Sequence, residues 1–174
     1  MRRIREADLP LILAWSNSVQ ASGPYLTPEC HTAGSLQEKF AGGALWNRND
    51  KTYLVEKRRC GTPIGIIHYW LRQTRPGTAL VSVKIAVPEA RGSGLGTEAQ
   101  KYLVMHLFDH VGVDAVNMYT DIGNKPQQRC LAKLGFTIVD SLTYDDRQVV
   151  RTGYMFQMNS KDYRMNAIYR YHYE

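Results

Sequence analysis

The chain has 174 residues, 44% of them apolar and 22% charged, with a formal net charge of +6. That length suits one domain able to bury roughly two-thirds of its unfolded surface, and the composition is that of a globular protein rather than a disordered or fibrous one. No apolar run approaches the ~20 residues of a membrane helix, the start Met1-Arg2-Arg3 meets Glu6, Asp8 and Pro10 rather than a signal-peptide core, and Cys30, Cys60 and Cys130 form no Cys-x-x-Cys pair, so a cytoplasmic protein with no membrane partner, zinc site or disulfide framework is expected.

In chain order, residues 2–5 read as a strand. Asp8 reads as the N-cap of a helix with Pro10 in its first turn and with Leu11, Ile12, Trp15 and Val19 on one apolar face. Ser22-Gly23-Pro24 breaks it, and Tyr25 falls on a loop, as a plain surface residue or a substrate contact. A second helix is expected over about 33–46, through Leu36, Phe40 and Leu45. Strands follow over 52–57 and 64–71, the second placing His68 and Trp70 on one face. After the turn Arg75-Pro76-Gly77, residues 79–87 alternate: Ala79, Val81, Val83, Ile85 and Val87 form an apolar set, with Ser82 and Lys84 in the other. Pro88 ends the strand.

The run Arg91-Gly92-Ser93-Gly94-Leu95-Gly96 comes next, with glycine at three alternate positions just before a helix. In that helix Leu95, Ala99, Leu103 and Leu107 recur every four residues, Tyr102 and His106 widen the stripe, and Gly112 closes it. Bare amides at a helix N-terminus lack partners and lie at the positive end of the helix dipole, so a phosphate-bearing ligand is expected here. A nucleotide P-loop is excluded because no lysine follows Gly96, and the dinucleotide fingerprint because Thr97 stands where its third glycine belongs. His106 and His110 have the spacing of helical metal ligands but neither a following glutamate nor a third ligand, which leaves them structural. The basic clusters Arg2-Arg3-Arg5 and Lys57-Arg58-Arg59 lack the interleaved aromatics of a nucleic-acid surface, so no nucleic-acid partner is expected.

A strand over 114–121 leads to a helix capped by Asn124, with Pro126 early, Cys130 on its core face and Gly135 at its end. Strands over 136–142 and 149–158 flank a polar turn at Asp145-Asp146. The tail 161–174 carries Tyr163, Tyr169, Tyr171 and Tyr173, the last three at period two. It reads as an added edge strand, as the contact of a homodimer, or as a disordered end. Alternating strands and helices place residues 1–160 in a single α/β domain with a mixed sheet.

Arg91, Gly94 and Gly96, set after Ile85-Ala86-Val87-Pro88, fit the spacing Arg/Gln-x-x-Gly-x-Gly/Ala. This resembles the acyl-CoA-binding motif of the GNAT superfamily of N-acetyltransferases. The block from Asn124 through Leu134-Gly135-Phe136 is similar to that family's Asn-led helix, and Arg3-Ile4-Arg5 with Ala7-Asp8-Leu9-Pro10 resembles its opening. Within the family the chain is most similar to the ribosomal-protein N-terminal acetyltransferase-like (RimJ/RimL-type) branch. The resemblance implies a GNAT fold: a mixed, mostly antiparallel sheet of six to seven strands, splayed open at the acyl-CoA site and flanked by about four helices. It implies acetyl-CoA as co-substrate, no metal, and direct attack by a primary amine in a ternary complex, the acceptor being a small molecule or a peptide.

By the same resemblance, the amides of Gly92, Ser93, Gly94, Leu95, Gly96 and Thr97 hold the pyrophosphate, with Arg91 adding charge. The backbone of Ile85, Ala86 and Val87 pairs with the pantetheine arm as an extra strand. Val87 N–H or a neighbour donates to the developing oxyanion, and Asn124 and Gln127 meet the arm from the second helix. Two departures stand out. Leu131 occupies the place of the tyrosine many members use as general acid, and residues 77–82 lack the usual glutamate base. Asp121, His68, Ser141 and Tyr144 are the substitute candidates for proton transfer. The same departures support an alternative, a catalytically weak CoA-binding sensor or interaction protein.

Overall fold

The computed structural model describes residues 1–170; Tyr171 and Tyr173 of the tail lie outside the described residues. Seven strands form one sheet: β1 (Arg2–Arg3), β2 (Asp50–Glu56), β3 (Pro63–Leu71), β4 (Thr78–Ile85), β5 (Ala115–Asp121), β6 (Thr137–Asp146) and β7 (Val149–Asn159), in the order β1-β2-β3-β4-β5-β7-β6. All neighbours run antiparallel except β4 and β5, as the helical crossover between those two requires. Six helices accompany the sheet among the described residues: α1 (Leu9–Ser16), α2 (Val19–Ser22), α3 (Ala33–Ala41), α4 (Leu95–His106), α5 (Lys125–Lys133) and α6 (Ser160–Met165).

The sheet separates two cores. Leu103 and Val104 of α4, Leu107 of the turn after it, Leu131 of α5 and Leu134 at its C-cap pack with Ile67, Val81 and Met118 on one face. Leu9 and Ile12 of α1 and Leu36 of α3 pack with Ile4 and Leu54 on the other. With helices on both sides, Ala79, Leu80 and Val81 of the central β4 are all buried, so alternation there sorts residues between two interiors rather than between core and water. Of the expected stripe, Ala99, Leu103 and Leu107 are buried and Leu95 is half-buried, whereas Tyr102 is 40% exposed and the flank is filled by Gln100, 1% exposed. The helix ends in a π-helical turn, Leu107–Val111, closed by Gly112 at φ 76°.

Asp8 precedes α1 as expected but does not cap it. Its carboxylate accepts the Arg5 N–H at 2.7 Å and a fork from Arg2 at 2.7 and 2.8 Å, tying β1 to the turn before α1. The Arg2 guanidinium holds the Asp8 carboxyl below the usual carboxylate range. A carboxyl depressed on folding contributes stability above its unfolded pKa and loses that contribution as pH falls through the folded value. Asp8→Asn is therefore expected to cost about 1–3 kcal/mol at pH 7, with the gap to the parent narrowing below about pH 4; urea melts at both pH values measure it.

Tyr163 and Tyr169 do not stand on an edge strand; both rings pack into their own chain's core. Tyr163 lies on α6, stacks on Phe108 at 4.5 Å and donates its hydroxyl to Asp109 at 2.7 Å. Tyr169 donates its hydroxyl to the Leu134 carbonyl at 2.8 Å, and Asn166 donates its side-chain amide to the same carbonyl at 3.3 Å. The two close the C-terminal end of α5, whose last carbonyls have no helical partner. Burial pushes the Tyr169 phenol above its ordinary range.

β4 and β5 pair only at Thr78–Ala115, Ala79–Val116 and Leu80–Asn117. Beyond Leu80 the two strands part. The opening lies at the foot of α4 and α5, and it sets the position of the site.

Candidate functional site

The hydrogen-bond phase of β4 decides which backbone groups face the opening. Ala86 N–H bonds the Ile64 carbonyl at 2.8 Å, and Ile66 lies opposite Lys84. In an antiparallel ladder alternate residues turn their main-chain groups to the same side, so Lys84 and Ala86 turn toward β3 while Val83 and Ile85 turn toward the opening. The strand ends at Ile85, and Val87 N–H falls back on the Ile64 carbonyl at 3.2 Å as the chain enters the Pro88–Ala90 turn. Of the sequence-predicted trio Ile85, Ala86 and Val87, only Ile85 thus turns its backbone to the cleft. The expected Val87 donor is engaged by β3, because the strand stops two residues earlier than the alternation suggests.

Below this edge sits the glycine loop. Gly92 (φ 73°) and Gly94 (φ 86°) hold left-handed conformations, and a Cβ on either would meet nothing within 4 Å. The Ser93 hydroxyl donates to the Ala90 carbonyl at 2.6 Å and stiffens the loop. The first bond of α4 runs from Glu98 N–H to the Gly94 carbonyl at 3.0 Å, so the amides of Leu95, Gly96 and Thr97 precede the ladder and have no intrahelical acceptor. Gly96 lies against β4; a Cβ there would approach Ile85 Cγ1 to 3.2 Å.

Arg91 lines the cleft as well. Its Nε donates to the Ile85 carbonyl at 2.8 Å, and one terminal nitrogen donates to the Gln20 and Ala21 carbonyls at 2.7 and 2.8 Å. The guanidinium thereby ties the orphan carbonyls at the end of α2 to β4 while keeping its charge beside the glycine loop.

The cleft above the loop has a volume of about 510 Å³. Its walls are Ser22, Tyr25 and Leu26 from α2 and the following loop, Val83 to Ile85 from β4, and Asn124, Gln127 and Cys130 from α5. The Ser22 hydroxyl is buried with no hydrogen-bond partner. Asn124 caps α5, its Oδ1 accepting Gln127 N–H at 3.2 Å. The Gln127 side-chain amide donates to Gln100 Oε1 at 2.6 Å, and Gln100 in turn donates to the Gly96 carbonyl at 2.9 Å and to Cys130 Sγ at 3.2 Å. This network locks α5 to α4, so the Gln127 amide is committed to Gln100. Burial pushes the Cys130 thiol up, so it stays protonated. Leu131 is wholly buried in the core.

The four proton-transfer candidates do not converge. Asp121 ends β5, where Oδ1 accepts Gly123 N–H at 2.7 Å and Oδ2 lies 3.6 Å from Arg151. Tyr144 is half-buried on β6 beside Gly153; burial, with Asp121 adding to it, raises its phenol above the ordinary range. Ser141 is exposed on the edge strand β6 and lines neither this cleft nor the next. His68 lies on β3, on the face of the sheet turned away from α4 and α5, stacked on Trp70 at 5.0 Å, with burial lowering its pKa. It lines a second cavity of about 290 Å³ between the sheet and α1/α3, together with Trp15, Glu29, Ser82 and Lys84. Lys84 lines both cavities. Among the described residues no group of three or more His, Cys, Asp or Glu gathers as a metal site.

A family model described as an acetyltransferase (GNAT) domain matches residues 1–137. Aminoglycoside N(6')-acetyltransferase type 1 of Klebsiella pneumoniae is 25% identical over 179 aligned residues, covering 97% of this chain and 87% of the relative. The Serratia marcescens protein of the same name is 26% identical, covering 90% and 81%. Among solved structures, spermidine N-acetyltransferase from Vibrio cholerae in complex with CoA and spermine superposes with a TM-score of 0.81 at 15% identity, over 95% of this chain and 96% of that one. AAC(6')-Ib in complex with ribostamycin and coenzyme A superposes at 0.79 and 21% identity, over the same shares.

Proposed function

From its membership of the acetyltransferase (GNAT) domain family, we propose that this chain is an acetyl-CoA-dependent N-acetyltransferase acting on a primary amine of a small molecule or peptide by direct attack in a ternary complex. The observation that carries the reading is the parting of β4 from β5 above an uncapped glycine loop. The residues fit the cofactor. Free amides at the positive end of α4, with open space above Gly92 and Gly94, suit a diphosphate. The main-chain groups of Val83 and Ile85 suit an extended amide-bearing arm, and the orphaned Ser22 hydroxyl lies in the same wall.

Acetyl-CoA supplies an activated acetyl thioester. Ile85 N–H, the free donor at the end of the β4 edge, takes the role expected of Val87 in polarising the acyl oxygen. An acceptor ammonium of ordinary pKa near 10 must shed a proton, which costs about 4 kcal/mol at pH 7. Of the four candidates, Asp121 and Tyr144 lie beyond the Tyr25 wall of the cleft: a Cβ on Gly123 would meet both Asp121 Oδ1 and the Tyr25 ring. A Tyr144 phenol kept protonated by burial serves as donor, and Asp121 as acceptor.

A second reading, a CoA-binding protein with little turnover, draws on the scatter of the candidates and on Leu131 standing buried in the tyrosine position. Titration calorimetry with acetyl-CoA and thiol release with a panel of amines decide between them. Binding with amine-dependent thiol release is expected. Binding without turnover by any amine selects the second reading, and no binding at tens of micromolar ends both. The RimJ/RimL-type resemblance adds peptide α-amines to the panel.

A further inference from the structure

Lys84 occupies the middle of the sheet and is 9% exposed. Strand alternation sends its side chain to the face shared by Thr52, Ile66, His68 and Ser82, all of which line the 290 Å³ cavity. It also borders the larger cleft. No carboxylate lies within 4.0 Å of its Nζ among the described residues. Two carboxylates are nearby without contacting it: Glu29, in the same cavity, hydrogen-bonds His31 at 2.8 Å and attracts Lys84 only at longer range, and Asp50 faces His68 at 3.9 Å. Lys39 adds a second cation to the lining, 3.4 Å from His31. A buried ammonium without a counter-ion is unfavourable unless something else brings the negative charge. The remaining walls are apolar, with Ile12, Trp15, Leu45 and Ile66.

We propose that Lys84 is the specificity-determining residue for an amine acceptor that also carries a carboxylate, with the body of an amino-acid-like molecule in the second cavity, its carboxylate on Lys84 and its amine turned toward the larger cleft. This rests on the acetyltransferase reading above. The named relatives act on aminoglycosides and spermidine, which are polycations. A polycation entering this cavity meets two lysines against one carboxylate, Glu29, among the described residues. An apolar amino acid, by contrast, finds a cation for its carboxylate and hydrocarbon for its side chain. The carboxylate accepts hydrogen bonds from the Nζ ammonium, and fixing it at one end orients the nitrogen at the other.

The test uses matched pairs of acceptors, phenylalanine against phenethylamine and a dipeptide against its C-terminal amide, with spermidine and kanamycin as polycations. Thiol release is measured for the parent, Lys84→Met, Lys84→Arg and Lys84→Glu. The parent is expected to favour the carboxylate-bearing member by about 10- to 100-fold in kcat/KM, the weight of one charge-assisted hydrogen bond. Lys84→Met is expected to erase that preference through the acceptor KM, leaving the KM for acetyl-CoA unchanged. Lys84→Arg restores it in part, and Lys84→Glu reverses it. A parent that favours spermidine, kanamycin or the carboxylate-free partners overturns the proposal, as does a Lys84→Met effect on acetyl-CoA rather than on the acceptor. Calorimetry on the CoA complex gives a readout without turnover: phenylalanine binding that Lys84→Met abolishes supports the proposal, and no such binding overturns it. Failure of acetyl-CoA itself to bind the parent instead marks failure of the acetyltransferase reading.

Discussion

A Gly94→Val/Gly96→Val variant is expected to lose acetyl-CoA binding, with an affinity at least about 100-fold weaker in calorimetry. Two independent strains act at the two positions. Gly94 caps α4 at φ 86°, where a β-branched residue costs about 1–3 kcal/mol and is relieved only by rotating the loop. Gly96 sits where a Cβ approaches Ile85 Cγ1 to 3.2 Å, so the further methyls of valine push the foot of α4 off β4. Both responses move the amides of Leu95, Gly96 and Thr97, which must converge on one ligand. The rest of α4 is anchored by Ala99, Leu103 and Leu107, so the variant is expected to melt cooperatively and to show that the loss is local. Retained affinity in a folded variant would remove the loop from the site.

Arg151→Met is expected to destabilise the protein by about 2–4 kcal/mol at pH 7, somewhat below the cost of orphaning a fully buried charge. Arg151 holds Asp146 at 2.9 Å and Asp121 at 3.6 Å, and all three side chains are only 13–15% exposed. It also donates to Thr27 Oγ1 at 3.3 Å and to the Pro24 carbonyl at 3.5 Å. Removing it leaves two carboxylates near one another, Asp146 still paired with Arg147 at 3.0 Å, and reduces the ties of loop 23–27 to the β6–β7 hairpin to the Thr27 bonds with Asp146 and Arg147. Burial alone would raise the Asp146 carboxyl, but hydrogen bonds from Thr27 and Arg151 outweigh it and hold the group below its ordinary range. The sign follows: this contribution is complete above the ordinary carboxylate pKa near 4 and is lost as pH falls through the lower folded value. The gap between parent and variant in denaturant melts is therefore expected to be full at pH 7 and to shrink below about pH 4. Tyr25 and Leu26 of the loosened loop line the cleft, so the acceptor KM is expected to rise as well. Equal stability at neutral pH would show that the ion pairs add nothing to the hairpin.

Elements with a strong local period were legible: β3, β4, α4 and α5 lie within a few residues of their expected bounds, and Gly112 and Gly135 end their helices with positive φ. What stayed hidden depends on partners far away in sequence. Lys84 sits in the polar half of a clean alternation, and nothing local tells a solvent face from a second interior. Gln100 lies beside an apolar stripe, and its burial becomes intelligible only once Gln127 and Cys130 face it from α5. Arg91 has the motif position of an anion ligand, and its further tie to the end of α2, some 70 residues earlier, could not be read from the motif. Tyr163 and Tyr169 suggest a strand by type and spacing, yet the unfinished end of α5 draws them in.

The placement of β7 between β5 and β6 also constrains how the chain is made. β5 and β6 both precede their shared neighbour in the sequence, so during translation the half of the sheet beyond β4 has no correct partner waiting. The hairpin of β6 and β7 must dock as a unit, through contacts of long sequence separation. Until it does, the nascent β5 presents an open edge carrying Val116 and Met118, side chains that end up sealed from solvent. That interval is when strangers can pair with it.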